Sequence, residues 1–188
     1  QSIEQVGFGE LTRIELNGQG EKIPIDQPFD LNPRFFDSFG NQMNDIFVNW
    51  TIDGEDQTLT MSLLDYNWIP TSIGSHEIQA NAAGVFSVVS LTVSAGEARQ
   101  IITSQDSGFT VQSGIESDIF IEISDSRGNL APAETISTNL NSTIGELVPS
   151  IAGRGYWTFV GNTAGEYTLT FFQDDARHTI QLIIEPGQ

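Results

Sequence analysis

The chain has 188 residues, room for one large domain or for two of about 90. It contains no cysteine, which excludes disulfides and thiolate metal sites and leaves apolar burial as the source of stability. Asp and Glu number 25 against 7 Lys and Arg, and the resulting net charge of −18 argues against nucleic acid or an anionic membrane as partner. Lys22 is the one lysine, a composition suited to a saline external medium that screens repulsion within about 8 Å. No stretch approaches the roughly 20 apolar residues of a membrane-spanning helix, and Gln1 does not open a signal peptide. Any signal or anchor is therefore expected in other parts of a longer parent.

In chain order, residues 1–8 look like the tail of a preceding unit, with Val6 and Phe8 placed to finish a strand. Phe29, Leu31 and Phe35 then alternate, followed by Ile46, Val48, Trp50 and Ile52. Leu59, Met61 and Leu63 continue the period of two, and Val85, Val89, Leu91 and Val93 close the first half. The second half repeats the scheme with Ile119, Ile121 and Ile123, then Ile136 and Leu140. It ends on Tyr167, Leu169 and Phe171, then Ile180, Leu182 and Ile184. Turn signals at Asp53-Gly54, Ala83-Gly84, Gly128-Asn129 and Asp174-Asp175 separate these runs. A period of two means strands, and nothing sustains a helical period, so helices are expected to be single turns at most. Short strands at this spacing predict an antiparallel β-sandwich with Trp50 filling the gap between sheets.

The scheme is duplicated. Asp37-Ser38-Phe39-Gly40-Asn41 recurs as Asp125-Ser126-Arg127-Gly128-Asn129, an offset of 88 (125 − 37). Gly9-Glu10-Leu11-Thr12-Arg13-Ile14 recurs as Gly96-Glu97-Ala98-Arg99-Gln100-Ile101, an offset of 87 (96 − 9). Gly74-Ser75-His76-Glu77-Ile78 aligns with Gly165-Glu166-Tyr167-Thr168-Leu169 at 91 (165 − 74), as do Leu91 and Val93 with Leu182 and Ile184. Offsets that drift only by loop lengths mark a tandem repeat. The expected domains are 9–96 and 97–188, after the end of a preceding repeat or linker at 1–8. Gly187-Gln188 falls where a third opening would begin, so an array continuing both ways is expected. Ser94-Ala95-Gly96-Glu97-Ala98 is short and lacks a flexible Gly/Ser run, which predicts a semi-rigid linear repeat.

Three motifs carry a family resemblance. A strand runs into Asp-Ser-x-Gly-Asn, where the Asp accepts nearby backbone N–H groups while Gly and Asn tolerate positive φ. Gly165-Glu166-Tyr167-Thr168-Leu169 then leads a hairpin strand in the manner of a tyrosine corner. With Trp50, these make the chain similar to the immunoglobulin-like repeats of bacterial and archaeal surface proteins, the invasin- and intimin-type adhesins above all. The resemblance covers residues 10–187 and implies two tandem immunoglobulin-like sandwiches, an extracellular or cell-surface location and a stalk or adhesive role. It supplies no catalytic residues. His76 departs from it by standing where the corner Tyr belongs.

Chemistry beyond the fold has few candidates. His76 and His178 lie in different repeats, neither in a metal or nucleophile motif, so a corner or solvated role is expected and no enzyme activity. Asp53, Glu55, Asp56, Asp174 and Asp175 place carboxylates on turns, and Glu97 at the junction completes the candidate calcium ligands, though no dense Asp-x-Asp-x-Asp-Gly loop occurs. Tyr66 and Trp68 in one loop, and Tyr156-Trp157 in another, are candidate glycan contacts, set against core packing. Asn49-Trp50-Thr51 and Asn141-Ser142-Thr143 are glycosylation sequons, with Asn49 outward if Trp50 points inward. The expectation is a monomeric, non-catalytic spacer module whose partners, protein or glycan, are met through its parent. The alternative is a carbohydrate- or protein-binding module, possibly accessory to an extracellular enzyme.

Overall fold

Where apolar residues recur at every second position, the chain is extended and one face of each strand is buried. The computed structural model describes residues 9–131 and 136–187, so the tail of a preceding repeat expected at 1–8, and Gln188, lie outside the described residues. The chain divides into two compact units between Ser94 and Ala95.

Unit 1 runs β1 (Leu11–Glu15), β2 (Lys22–Pro24), β3 (Phe29–Asp30), β4 (Arg34–Asp37), β5 (Gln42–Met43), β6 (Asn49–Ile52) and β7 (Glu55–Asp56). A helix α1 (Thr58–Leu63) follows, then β8 (Asn67–Trp68), β9 (Gly74–Ala82) and β10 (Val85–Ser94). One sheet has the order β1-β4-β5, the other β2-β10-β9-β6-β7, and β3 pairs with β8 beside them. The core packs Val48, Trp50, Ile52, Ile78, Ala80, Val89 and Leu91 between them. Trp50 is fully buried, as its strand position requires, with its ring 5.9 Å from that of Tyr66.

Unit 2 comprises β11 (Gln100–Thr103), β12 (Phe109–Gln112), β13 (Glu116–Ser124) and β14 (Ser137–Thr138). It continues with β15 (Gly145–Pro149), β16 (Tyr156–Gly161), β17 (Gly165–Gln173) and β18 (Ala176–Glu185). Its sheets, β11-β13-β16-β15 and β12-β18-β17-β14, enclose Ile119, Ile121, Ile123, Phe159, Leu169, Phe171 and Leu182.

Two features differ from the sequence reading. The sandwiches are not wholly antiparallel, because β2 pairs parallel with β10 and β12 parallel with β18. In each unit the opening segment starts on one sheet, crosses, and finishes beside the last strand of the other. Gly18 and Gly20 (φ 107° and 74°) in unit 1 and Gly108 (φ 121°) in unit 2 lie on those crossings, in backbone that a side chain would oppose. The second difference is α1: Leu59, Met61 and Leu63 form a six-residue helix instead of a strand. Met61 is fully buried while Leu59 and Leu63 are 75% and 76% exposed, so their alternation reflects no common buried face. Asp56 accepts the Thr58 N–H at 2.9 Å, and Thr58 Oγ1 accepts the Trp50 N–H at 2.8 Å, which anchors the start of the helix to β6.

Candidate functional site

The repeated Asp-Ser-x-Gly-Asn turn is built identically in both units. Asp37 Oδ1 accepts the N–H groups of Phe39 and Asn41 at 2.9 and 2.8 Å, and Oδ2 accepts the Asn41 amide at 3.0 Å. Asp125 makes the same set to Arg127, Asn129 and the Asn129 amide at 2.8, 2.9 and 2.9 Å. Each carboxylate also reaches the glycine that opens its unit: Gly9 N–H to Asp37 and Gly96 N–H to Asp125, both 3.0 Å. Gly40 and Gly128 supply positive φ (85° and 81°), whereas Asn41 and Asn129 serve as side-chain donors instead of positive-φ residues. Both carboxylates are buried. Burial pushes the Asp125 pKa up, but the Asn129 amide and the backbone donors outweigh it and bring it from 3.8 to about 2. Asp37 is lowered to about 2 by the same balance.

At the corner of unit 2, the Tyr167 hydroxyl donates to the Thr163 carbonyl at 3.1 Å, four residues upstream. A Cβ at Gly165 would sit 2.9 Å from that hydroxyl, which explains the glycine in the motif. In unit 1 His76 takes over the bond: Nε2 lies 3.0 Å from the Ser72 carbonyl, again four residues upstream. Its Nδ1 lies 2.6 Å from Asp53 Oδ2, while Asp53 Oδ1 accepts the Glu77 N–H at 2.9 Å. Both ring nitrogens are thus engaged, one by a carboxylate and one by a backbone carbonyl. Burial raises the Asp53 carboxyl pKa, but the Glu77 N–H and His76 outweigh it and hold it below the usual range. His178 is not at a solvated hairpin tip: it lies opposite Phe171, half-buried, 3.1 Å from Asp106.

The acidic candidates have been brought to two places. Glu97, Asp174 and Asp175 do converge in unit 2, but around Arg99 and the opening backbone. Arg99 pairs with Glu97 at 3.0 Å and also with Asp175, while Asp174 accepts the Ala98 N–H at 2.8 Å. Arginine and an amide supply there the positive partners that an ion would otherwise provide. In unit 1 Asp53 holds His76 and Asp56 holds Thr58, leaving the Glu55 side chain without a hydrogen bond or ion pair among the described residues. No group of three His, Asp or Glu side chains arranged for a metal ion occurs among the described residues.

The aromatic candidates do not form an exposed platform. Trp68 is only 9% exposed, with its ring 5.2 Å from that of His76 and edge-on to it. It lines a cavity of about 390 Å³, whereas Tyr66 lines a different hollow with Asp30 and Asp65. The pairing of Trp68 with Phe29, which turns it inward, involves residues far apart in sequence and left no local signal. Trp157 is buried, and Tyr156 is 42% exposed, packed on Phe120 at 5.0 Å. Asn49 points outward beside buried Trp50, and Asn141 is exposed but accepts the Thr143 N–H at 2.9 Å.

No family model and no curated protein matches the chain. Among solved structures, the Escherichia coli adhesin FdeC matches at 17% identity, over 97% of this chain and 67% of that one, with a TM-score of 0.58. The fold is immunoglobulin-like. The immunoglobulin-like units also match InvD of Yersinia pseudotuberculosis at 14% identity, over 87% of this chain and 55% of that one, TM-score 0.45. The surface-layer protein SbsC, as its segment 31–844, matches at 14% identity and TM-score 0.42, over 97% of this chain and 29% of that one. These last two scores are too low to bear on the fold.

Proposed function

We propose that the chain is a non-catalytic structural module of a large secreted or cell-surface repeat protein, a spacer of the stalk or adhesin type. The duplicated carboxylate turn carries this reading. In each unit the buried Asp is spent on fastening the segment that opens the unit, and it makes the same bonds in both. A repeat conserved for anchoring its own start suits a protein that is lengthened by adding units. FdeC, whose fold it shares, is an adhesin, which supports an extracellular setting, as does the charge of −18 in a saline medium. Among the described residues no helix is long and apolar enough to cross a membrane. Both histidines face carboxylates in packing roles, which supports a module without catalysis. Glycan contact through Tyr66 and Trp68 is less well supported, since Trp68 is largely buried and the two rings line different hollows.

Single-molecule extension tests the spacer reading. Pulled between folded handles, the chain should give two unfolding events, each releasing about 300 Å for roughly 90 residues. One merged event, or unfolding at forces too small to register, would rule out a load-bearing spacer.

A further inference from the structure

The two units depart from each other in one region. Between β14 and β17, unit 2 runs β15 and β16, which pair along five residues and close that part of the sandwich. Between β6 and β9, unit 1 has only the two-residue β7, the helix α1 and the two-residue β8. The helix contributes one buried side chain, Met61, where unit 2 has a strand. A cavity of about 390 Å³ remains, large enough for a small ligand or a single long side chain.

Its lining is mixed in chemistry. Met61, Leu64, Trp68 and Ile69 supply its apolar surface, and Leu64 and Ile69 stay 37% and 39% exposed. The same cavity is lined by Asp53, Glu55 and His76, the last with its ring 5.2 Å from that of Trp68. His76 spends both nitrogens on Asp53 and the Ser72 carbonyl, and Asp53 spends both oxygens on His76 and the Glu77 N–H. Glu55 has no such engagement. It is exposed at the cavity, and no lysine or arginine lines the space to neutralise it. An anion would be repelled by the Asp53 and Glu55 carboxylates with only the neutral amide and hydroxyls of Gln57, Thr60, Thr71 and Ser72 to receive it, and a neutral apolar group would leave Glu55 unanswered. A cation on an apolar stem meets both needs: its N–H groups face Glu55 while the stem lies along Leu64, Ile69 and Trp68.

We infer that this cavity binds an alkylammonium or alkylguanidinium group, the chemistry of a lysine or arginine side chain. The net charge of −18 raises the local concentration of such cations. At the matching corner of unit 2, Tyr167 stands where unit 1 has His76. The site stands independently of the spacer reading, because a load-bearing repeat needs no ligand.

The test is an NMR titration of the whole chain, following the Trp68 indole N–H and the His76 ring protons. Butylammonium and butylguanidinium should give saturable shifts in the millimolar range, with butanol and butyrate at least about tenfold weaker. Glu55→Gln, an exposed change checked for folding by its melt, should weaken butylammonium about tenfold. Leu64→Ser should weaken butylammonium more than methylammonium, which has no stem. Acetyl-Ala-Lys-Ala-amide separates the sources. Binding at least as tight as butylammonium points to a side chain presented by a partner, and its exclusion points to a free amine. Equal binding of butanol, no shifts at all, or an undiminished affinity in folded Glu55→Gln would overturn the inference.

Discussion

Asp125 concentrates more of unit 2's polar order than any other side chain described: four donors converge on it, three of them backbone. Removing the carboxylate leaves those donors partly buried without an acceptor, which costs more than the bonds themselves gain on folding. Asp125→Ala should therefore lower the melting temperature of its unit by roughly 10 °C. The same group fixes an acid response. Its folded pKa of about 2 lies below the ordinary 3.8, so the unfolded chain binds the extra proton between those values. The stabilisation is complete above about pH 4 and is lost as pH falls towards 2. Asp37 adds the same dependence in unit 1. Asp125→Asn should flatten the melting-temperature profile of unit 2 over that window and leave unit 1's intact. An unaltered acid profile would mean that the carboxylate is not the titrating group.

At the scale of elements, α1 offers a direct contrast between two geometries. In a strand Leu59, Met61 and Leu63 would share one face and each truncation would cost alike. In the helix only Met61 enters the core. Met61→Ala should destabilise by about 2–5 kcal/mol, while Leu59→Lys and Leu63→Lys stay within about 0.5 kcal/mol by chemical denaturation. Comparable losses at all three would restore the strand. The error was physical: three apolar residues at alternate positions fit a strand by pattern, but a segment of six is too short for periodicity to discriminate. What decides it is tertiary, the Thr58 hydroxyl fastened to Trp50 eight residues earlier. The longer strands were legible because β9, β10, β17 and β18 each sustain alternation over nine or ten residues. The two-residue Asp53-Gly54 and Ala83-Gly84 turns were legible too, since both residues of each take positive φ as such hairpins need. The candidate site was legible only in part. His76 stood out as an exception to the corner motif, but its Asp53 partner is 23 residues away and no spacing rule links them. Glu97, Asp174 and Asp175 were read as candidate calcium ligands; that Arg99 pairs with Glu97 and Asp175 could not be read from spacing, because Arg99 and Asp175 are 76 residues apart.

For the whole molecule the question is where one repeat stops depending on the other for its own order. The two cores have no residue in common, and the unit 2 core already includes Ala98, fully buried, with Ala95 packed against it. The segment from Gly96 to Arg99 is fastened by Asp125, Asp174 and Asp175, all within unit 2. A fragment of residues 95–188 thus contains every group that orders its own opening, and it should melt cooperatively by itself. Residues 97–188 begin two positions later and lack the Gly96 N–H that Asp125 accepts. That fragment should fold with a lower melting temperature, by roughly 5 °C for one charge-assisted hydrogen bond. Starting at residue 100 removes Ala98 from the core and Arg99 from its carboxylates, so the loss should grow again. A graded series of three melts would place the working boundary before Gly96 and make the Asp-held glycine the first residue of the repeat. Three equal melting temperatures would show that the opening segment adds nothing to the unit, and an uncooperative melt of 95–188 would show that unit 2 does not fold alone.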